Sequence, residues 1–135
     1  MATRIREKAA KRKENKDNRP KAIARYVRIS SSKVRIILNL VRGKNYNEAF
    51  AILDNSSNKA AKPVLKVLNS AAANAENNLD MNKDDLYIEE AYATEGPTRS
   101  ALRRGGKKPK GRIVEVVKKR TAHITIILNT VEDKK

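Results

Sequence analysis

The chain has 135 residues, a formal net charge of +16 and a sequence pI near 10.3. Its hydrophobic residues, 39% of the total, include no Trp and one Phe, so a core has to be built mainly from aliphatic side chains and alanine. With no Cys and one His, the common zinc sites are excluded, and we expect neither a metal nor a cofactor. No apolar run approaches the roughly 20 residues that span a bilayer. The N-terminus also lacks the apolar stretch of a signal peptide, so we expect a cytoplasmic protein with no membrane partner.

The positive charge is concentrated in two blocks. Residues 1–35 hold 13 basic and 3 acidic residues, net +10, and residues 98–121 hold 10 and 1, net +9. The intervening residues 36–97 hold 6 and 9, net −3. Such an excess destabilises a compact chain by self-repulsion, which a polyanionic partner relieves. The pattern favours nucleic acid as the partner and indicates a nearly neutral body with two cationic segments.

The chain begins with a basic extension, residues 1–20, that has too few apolar residues to pack. A short helix around Ile5 to Lys11 is compatible with its sequence, and we expect the extension to order on its partner. A strand is predicted from Lys21 to Ile29, where side chains alternate between two faces.

Three helices are predicted next. The first carries apolar residues at helical spacing from Val34 to Val41, with serines before it as N-caps and Gly43 after it as the C′ residue. The second covers residues 47–53. The third, over residues 58–77, tolerates Pro63 only within its first turns. Its small residues let another element approach closely, so we expect it to be the central helix.

Two further strands flank the second basic block. One is predicted over residues 86–94, with Leu86, Ile88 and Tyr92 on one face, and the other over residues 122–130. The segment between them, which contains Gly and Pro, is interpreted as a β-hairpin whose limbs continue these strands. About 12 residues per limb at roughly 3.3 Å each give an arm about 40 Å long. The predicted hairpin tip is Arg104, Gly105, Gly106, Lys107, Lys108 and Pro109.

The candidate nucleic-acid contacts are basic residues in these segments, because cations and free backbone N–H groups at a helix start suit phosphate. Aromatic residues are few, so we expect phosphate contact and shape to outweigh base stacking. Before and within the first helix the candidates are Arg25, Arg28, Lys33, Arg35, Arg42 and Lys44. In the hairpin they are Arg99, Arg103, Arg104, Lys107, Lys108, Lys110, Arg112, Lys118, Lys119 and Arg120.

Nothing in the sequence predicts catalysis. His123 has no neighbouring base, nucleophile or metal cluster, so an RNA contact or a packed strand residue is favoured over catalysis. Among the clustered carboxylates, Glu89 and Glu90 are adjacent on a strand and are expected to face opposite sides. Turn capping or charge balance therefore explains the cluster better than paired acid–base chemistry.

Four sequence blocks, in order and covering roughly residues 22 to 130, resemble the family of bacterial large-subunit ribosomal protein number twenty-two. They are Ser30–Arg35 with Val41–Lys44, Lys66–Asn78, Glu90–Tyr92 with Glu95–Thr98, and Lys119–Thr125. The chain departs from the family pattern at Ser31, where Pro is frequent, at Ala122, where Ser is frequent, and in a hairpin tip that is longer and richer in Gly and Lys.

The resemblance implies an α+β fold with three helices packed on a three-stranded antiparallel sheet and a long protruding basic β-hairpin at about residues 86–129. Residues 21–130 then form a single RNA-binding domain, followed by a tail, 131–135. The implied function is that of a structural component of the large ribosomal subunit, located in the ribosome. It binds large-subunit ribosomal RNA and neighbouring ribosomal proteins, supports subunit assembly, and lines the exit tunnel with its hairpin beside the nascent polypeptide. The implied RNA contacts are Lys33, Arg35, Arg42, Lys44, Arg112, Lys119, Arg120, Thr121 and His123.

Two other functions are weighed against this one. An architectural DNA-binding protein can use a basic β-arm with a proline near the tip as a wedge between base steps, and Pro109 fits that description. Such proteins usually form tight dimers and prefer duplex DNA. An RNA-processing enzyme would need an acid–base pair, and turnover lost in His123→Ala would be its signature.

Overall fold

The structure is a computed structural model that describes residues 2–14, 18–104 and 113–130. Its helices are α1 (Ala2–Glu14), α2 (Ser31–Val41), α3 (Tyr46–Asp54) and α4 (Ala61–Leu79), with a short 3₁₀ turn at Lys83–Asp85. Its strands are β1 (Lys21–Val27), β2 (Leu86–Glu95), β3 (Arg99–Arg104), β4 (Ile113–Lys119) and β5 (Ala122–Thr130).

The body is an antiparallel sheet of three strands in the order β1-β5-β2, with α2, α3 and α4 supplying the other half of the core. Alternation along β5 sends Ile124, Ile126 and Leu128 into that core, where each is fully buried. The predicted α+β fold, with three helices on a three-stranded antiparallel sheet, is confirmed. The fourth helix, α1, lies in the N-terminal extension, and its side chains from residue 3 to residue 12 are exposed.

Helix α4 packs against the sheet through small side chains. Ala71, Ala72 and Ala75 are fully buried along its second half, and Val64 and Leu68 are buried along its first. Because alanine keeps the helix axis close to the sheet, this helix contacts both β1 and β5. The prediction of a central helix with small residues on its inner face is confirmed.

A β-bulge in β2 changes which of its residues face the core. The register steps from Ile88 opposite Leu128 to Glu90 opposite Ile127, so that one extra residue stands in β2. After the bulge Ala91 and Ala93 point inward, while Tyr92 is 43% exposed. The prediction that Tyr92 shares a face with Leu86 and Ile88 is therefore wrong, because an added residue reverses the alternation.

The same bulge brings the side chains of Glu89 and Glu90 together. Both carboxylates accept hydrogen bonds from Nη1 of Arg19, at 2.9 and 3.1 Å. The expectation that these neighbours face opposite sides is wrong for this reason. Their shared ion pair with an arginine is the charge balance that the sequence indicates.

The outer edge of β2 is covered by α2 and the turn after it. The backbone of Ile88 accepts from Gly43 N–H and donates to the Lys44 carbonyl, both at 2.9 Å. Farther along, the Arg42 guanidinium donates to the Ala91 carbonyl, and the Arg35 guanidinium reaches the next outward carbonyl, that of Ala93, at 3.4 Å. Covering an edge in this way removes a template for pairing with other chains.

The hairpin is a separate two-stranded sheet, β3–β4, that begins with Arg99 opposite Lys119. The predicted hairpin is found, but its limbs are not continuous with β2 and β5, because Gly96 to Thr98 interrupt one limb and Arg120 to Thr121 the other. Pro97 has no N–H for a ladder. The described part of β3–β4 is about 20 Å long at roughly 3.3 Å per residue, and the predicted tip beyond Arg104 lies outside the described residues.

Candidate nucleic-acid interface

A basic groove of about 570 Å³ lies where the end of β1, the start of α2, the α3–α4 loop and the β4–β5 junction meet. Its residues are Arg28, Ile29, Ser30, Lys33, Lys59, Lys118, Lys119 and Arg120. Six of these eight lining residues are cationic and none is acidic. The groove is open to solvent, and long cationic side chains around an open concavity suit a phosphate backbone better than a small neutral ligand.

The N-terminus of α2 opens beside this groove. Ser30 takes the N-cap position in an extended conformation, and within the described chain its hydroxyl caps no backbone N–H but contacts the Ser32 hydroxyl at 2.8 Å. Ser30 holds the predicted N-cap position, but the predicted side-chain capping of this helix is not found among the described residues. The positive end of the helix dipole and Lys33 therefore add to the potential of the groove.

One cation of the groove was not among the predicted contacts. Lys59 lies in the loop before α4, and its side chain is exposed. It stands alone between Asn58 and Ala60, outside both basic blocks, so no local charge run marks it. Only the packing of α4 against the sheet brings this loop to the end of β1.

Glu95, at the end of β2, is an acidic residue in contact with the groove cation Arg120. Its Oε1 lies 3.5 Å from Nη1 of Arg120 and 3.4 Å from the hydroxyl of Ser31, which donates to it. The arginine is half exposed and the distance is long, so the ion pair is weak and leaves Arg120 able to meet an anionic partner.

Close in the chain to the groove residues Arg28 and Arg120, a tyrosine and a histidine contact each other. The backbone N–H of Tyr26 donates to Nδ1 of His123 at 3.0 Å, and the two rings meet edge to face with centroids 4.8 Å apart. Because Nδ1 accepts this bond, the proton of the neutral imidazole is on Nε2. Of the predicted alternatives for His123, the packed strand residue is the one found, since the half-buried ring packs on Tyr26. The RNA contact stays a prediction, and within the described residues the ring keeps one donor free.

The junction between body and hairpin is tightly packed around Gly96. Its N–H donates to the Thr121 carbonyl at 2.9 Å, and the Thr121 hydroxyl donates to the Pro97 carbonyl at 2.8 Å. A Cβ on Gly96 would lie 2.5 Å from the Thr121 hydroxyl oxygen and 3.2 Å from Nε2 of His123. Thr121, a predicted RNA contact, is only 8% exposed, and its hydroxyl is used within the chain.

The described residues form no metal-binding cluster. Among residues 2–14, 18–104 and 113–130 there is no group of three His, Cys, Asp or Glu side chains able to hold a metal ion. On the acidic surface near the 3₁₀ turn, Glu76 lies 2.7 Å from the ammonium of Lys83 and raises the pKa of that lysine. None of the described helices is both long and apolar enough to cross a bilayer.

Comparison with known proteins identifies the family of this chain. A profile of ribosomal protein L22p/L17e matches residues 22–129. This chain belongs to the L22p/L17e family. "Large ribosomal subunit protein uL22" of Clostridium kluyveri is 60% identical over 108 residues, which cover 80% of this chain and 94% of that protein. The proteins of the same name from Staphylococcus haemolyticus and Thermoanaerobacter sp. are 54% and 51% identical, covering 81% and 83% of this chain and 90% and 97% of theirs.

Membership of the L22p/L17e family makes the chain a structural, non-enzymatic ribosomal protein, as the sequence predicts. The predicted family and the predicted ribosomal location are confirmed. The reading of the chain as an RNA-processing enzyme is accordingly set aside.

In this L22p/L17e protein the predicted contacts that are Lys or Arg separate into four groups. Arg28, Lys33, Lys118, Lys119 and Arg120 line the basic groove. Arg35 and Arg42 extend along the covered edge of β2, and Lys44 lies 4.0 Å from Glu48. Arg25 and Arg99 are exposed outside the groove lining. Six further predicted contacts have side chains that the structure does not describe: Arg103, Arg104, Lys107, Lys108, Lys110 and Arg112.

Proposed function

We propose that this protein binds large-subunit ribosomal RNA through the basic groove and thereby supports assembly of the subunit. The observation that carries the proposal is the convergence of six cations from four separate segments on one open concavity. Phosphates in that concavity relieve the mutual repulsion of the lysines and arginines. They also meet the positive end of α2 beside Lys33.

Duplex DNA is a poorer fit to the same surface. An architectural DNA-binding arm works by inserting a wedge between base steps, whereas the cations described here line a concavity at the root of the hairpin. A concavity suits a protruding turn of folded RNA, in which phosphates of one strand crowd together. A preference for folded ribosomal RNA over duplex DNA of equal length follows from this shape.

The hairpin has a second role in the proposal, which is to line the exit tunnel and contact the nascent polypeptide. Support comes from its construction, since β3–β4 is a two-stranded sheet that leaves the body at the Gly96–Thr98 junction and, among the described residues, has no extensive contact with another helix or strand. Such a ribbon needs a surface to lie along, because an isolated two-stranded hairpin is marginal in water. Deleting Arg103 to Lys110 should leave the body folded, by circular dichroism, and leave incorporation into the subunit largely intact.

The test of RNA binding is the salt dependence of the affinity for protein-free large-subunit ribosomal RNA, measured by filter binding. Lys33→Met and Lys59→Met each remove one groove cation and should weaken binding while reducing the slope of log K against log[salt] by roughly 0.7–0.9. Lys83→Met is the matched control, because it removes the same charge from the acidic side of the body. Equal slopes for all three variants and the parent protein would refute a phosphate-binding groove.

A competition experiment separates the two nucleic acids. At one salt concentration, unlabelled duplex DNA should displace the ribosomal RNA only at a large excess of nucleotide. Displacement by DNA at equal nucleotide concentration would favour the architectural DNA-binding protein instead.

A further inference from the structure

Tyr26 stands in a backbone conformation that tyrosine rarely adopts. Its φ of +58° is left-handed, at the bulge where the register of β1 against β5 is interrupted between Ala24 and Val27. A bulky side chain in this region costs about 1–2 kcal/mol relative to a right-handed conformation, and glycine or asparagine would adopt it more easily. Strain of this kind is concentrated at functional sites, so the ring of Tyr26 calls for an explanation.

Burial does not supply that explanation. Tyr26 is 61% exposed, so its ring contributes little to the core. Its one ring contact among the described residues is the edge-to-face contact with His123, at an interplanar angle of 85°. In either sense of such a contact, at least one face of the phenol ring is left uncovered by the imidazole.

The orientation of the ring is nevertheless fixed from two sides. The hydrogen bond from Tyr26 N–H to Nδ1 of His123 ties the left-handed residue to the central strand, and the imidazole packs on the phenol. An exposed aromatic ring held in this way loses little side-chain entropy when a second planar group stacks on it.

The position of Tyr26 relative to the basic groove indicates what that planar group is. Arg28, two residues along the chain, and Arg120, three residues before His123, both line the groove. Two residues span at most about 7 Å, a distance comparable with the step from one nucleotide to the next. A strand whose phosphates lie in the groove therefore has a neighbouring nucleotide within reach of the phenol ring.

Nε2 of His123 provides a donor at the same place. The tautomer set by Tyr26 leaves Nε2 protonated, and Gly96 has no side chain to block it, since a Cβ there would stand 3.2 Å away. A stacked nucleotide offers several acceptors to such a donor, among them the 2′-hydroxyl, a phosphate oxygen and a base nitrogen.

We infer that Tyr26 and His123 form a binding site for a single unpaired nucleotide of ribosomal RNA, with its base stacked on the Tyr26 ring and an acceptor facing Nε2 of His123. This inference rests on the proposed RNA-binding function and adds base contact to a surface at which phosphate contact and shape are expected to dominate.

The test compares Tyr26→Leu, which removes the aromatic face and keeps bulk, with Tyr26→Phe, which keeps the ring. Tyr92→Leu is the matched control, because Tyr92 is an exposed tyrosine of the same sheet with no ring partner among the described residues. In filter binding to large-subunit ribosomal RNA, Tyr26→Leu should lose about 5- to 100-fold in affinity at every salt concentration. Its salt slope should equal that of the parent, since no charge is removed, and the other two variants should bind like the parent.

The filter-binding results distinguish failure of the nucleotide site from failure of the proposed function. If the parent protein binds with the expected salt slope and Tyr26→Leu binds like Tyr92→Leu, the nucleotide site is refuted while the groove stands. If the parent shows no salt-dependent binding, the proposed function itself fails.

A second measurement avoids the variants and any effect they have on folding. Ultraviolet irradiation of the parent protein bound to the same RNA, followed by mass spectrometry of its peptides, should yield a nucleotide adduct on Tyr26. Adducts on other residues in the absence of one on Tyr26 would refute the site.

Discussion

Replacing Gly96 by alanine should destabilise the protein through one overlap at the base of the hairpin. The new Cβ would stand 2.5 Å from the Thr121 hydroxyl oxygen. That oxygen is one bond from Cβ of a β-branched residue and donates to the Pro97 carbonyl at 2.8 Å, so it can move only by breaking this hydrogen bond. The backbone cannot retreat easily either, because Gly96 N–H is bonded to the Thr121 carbonyl.

The magnitude follows from two opposing effects. Overpacking a buried contact costs about 1–3 kcal/mol, while alanine lowers the entropy of the unfolded chain and returns about 0.4–1 kcal/mol. Gly96→Ala should therefore lower the free energy of unfolding by about 1 kcal/mol, within a range of about 0–2.6 kcal/mol. Urea unfolding of the full chain, followed by circular dichroism, measures this loss as a shift of the midpoint at constant m-value.

A double-mutant cycle with Thr121→Ala tests the reasoning itself. Thr121→Ala alone loses the hydrogen bond to Pro97, about 1 kcal/mol, and removes the oxygen with which the new Cβ collides. In that background Gly96→Ala should be nearly neutral or stabilising, giving a coupling energy of about 1–3 kcal/mol. If Gly96→Ala costs the same with and without the threonine, the close approach is not the reason for glycine at this position.

Three further substitutions test other parts of the structure. Leu68→Ala, at a fully buried position of α4, should cost about 2–5 kcal/mol of unfolding free energy by urea titration, and a smaller loss would mean that the core closes around the cavity. Gly43→Ala should lower the unfolding free energy by about 1 kcal/mol in the same assay. The whole cost comes from the left-handed φ of +76°, since a Cβ there meets nothing within 4 Å. An unchanged midpoint would show that the turn relaxes. Arg42→Met should lower the unfolding free energy by about 1 kcal/mol, because it leaves the Ala91 carbonyl without its guanidinium donor. Because it also uncovers part of the edge of β2, light scattering should increase as the protein is concentrated. Weaker binding of ribosomal RNA at unchanged stability would instead assign Arg42 to the RNA interface.

Much of the fold could be predicted because its signals are local. The apolar spacing from Val34 to Val41 and the alternation along β5 are properties of single segments, and they give the helix and the strand without knowledge of their partners. The extra residue between Ile88 and Glu90 has no such signal. It depends on how β2 pairs with β5, so the faces of its later residues, including Tyr92, could not be deduced from periodicity.

The residues of the candidate site likewise divide into those that the sequence predicts and those that only the fold brings together. Lys33 and Arg120 belong to basic runs and were predictable from charge, whereas Lys59 joins them through the packing of α4. Tyr26 is a regular strand residue by its spacing. Its left-handed backbone and its contact with His123, 97 residues away, arise only when β1 and β5 are paired.

The assembly of the groove from four separate segments links the proposed RNA binding to folding. In the unfolded chain its cations are distributed from Arg28 to Arg120, and they attract any polyanion without regard to shape. The native fold alone sets them around one concavity, so a matching RNA binds the native state in preference to the unfolded one and raises its stability by mass action. A copy of the protein that has found its RNA should consequently resist proteolysis better than an unbound copy, and surplus copies are the ones open to removal.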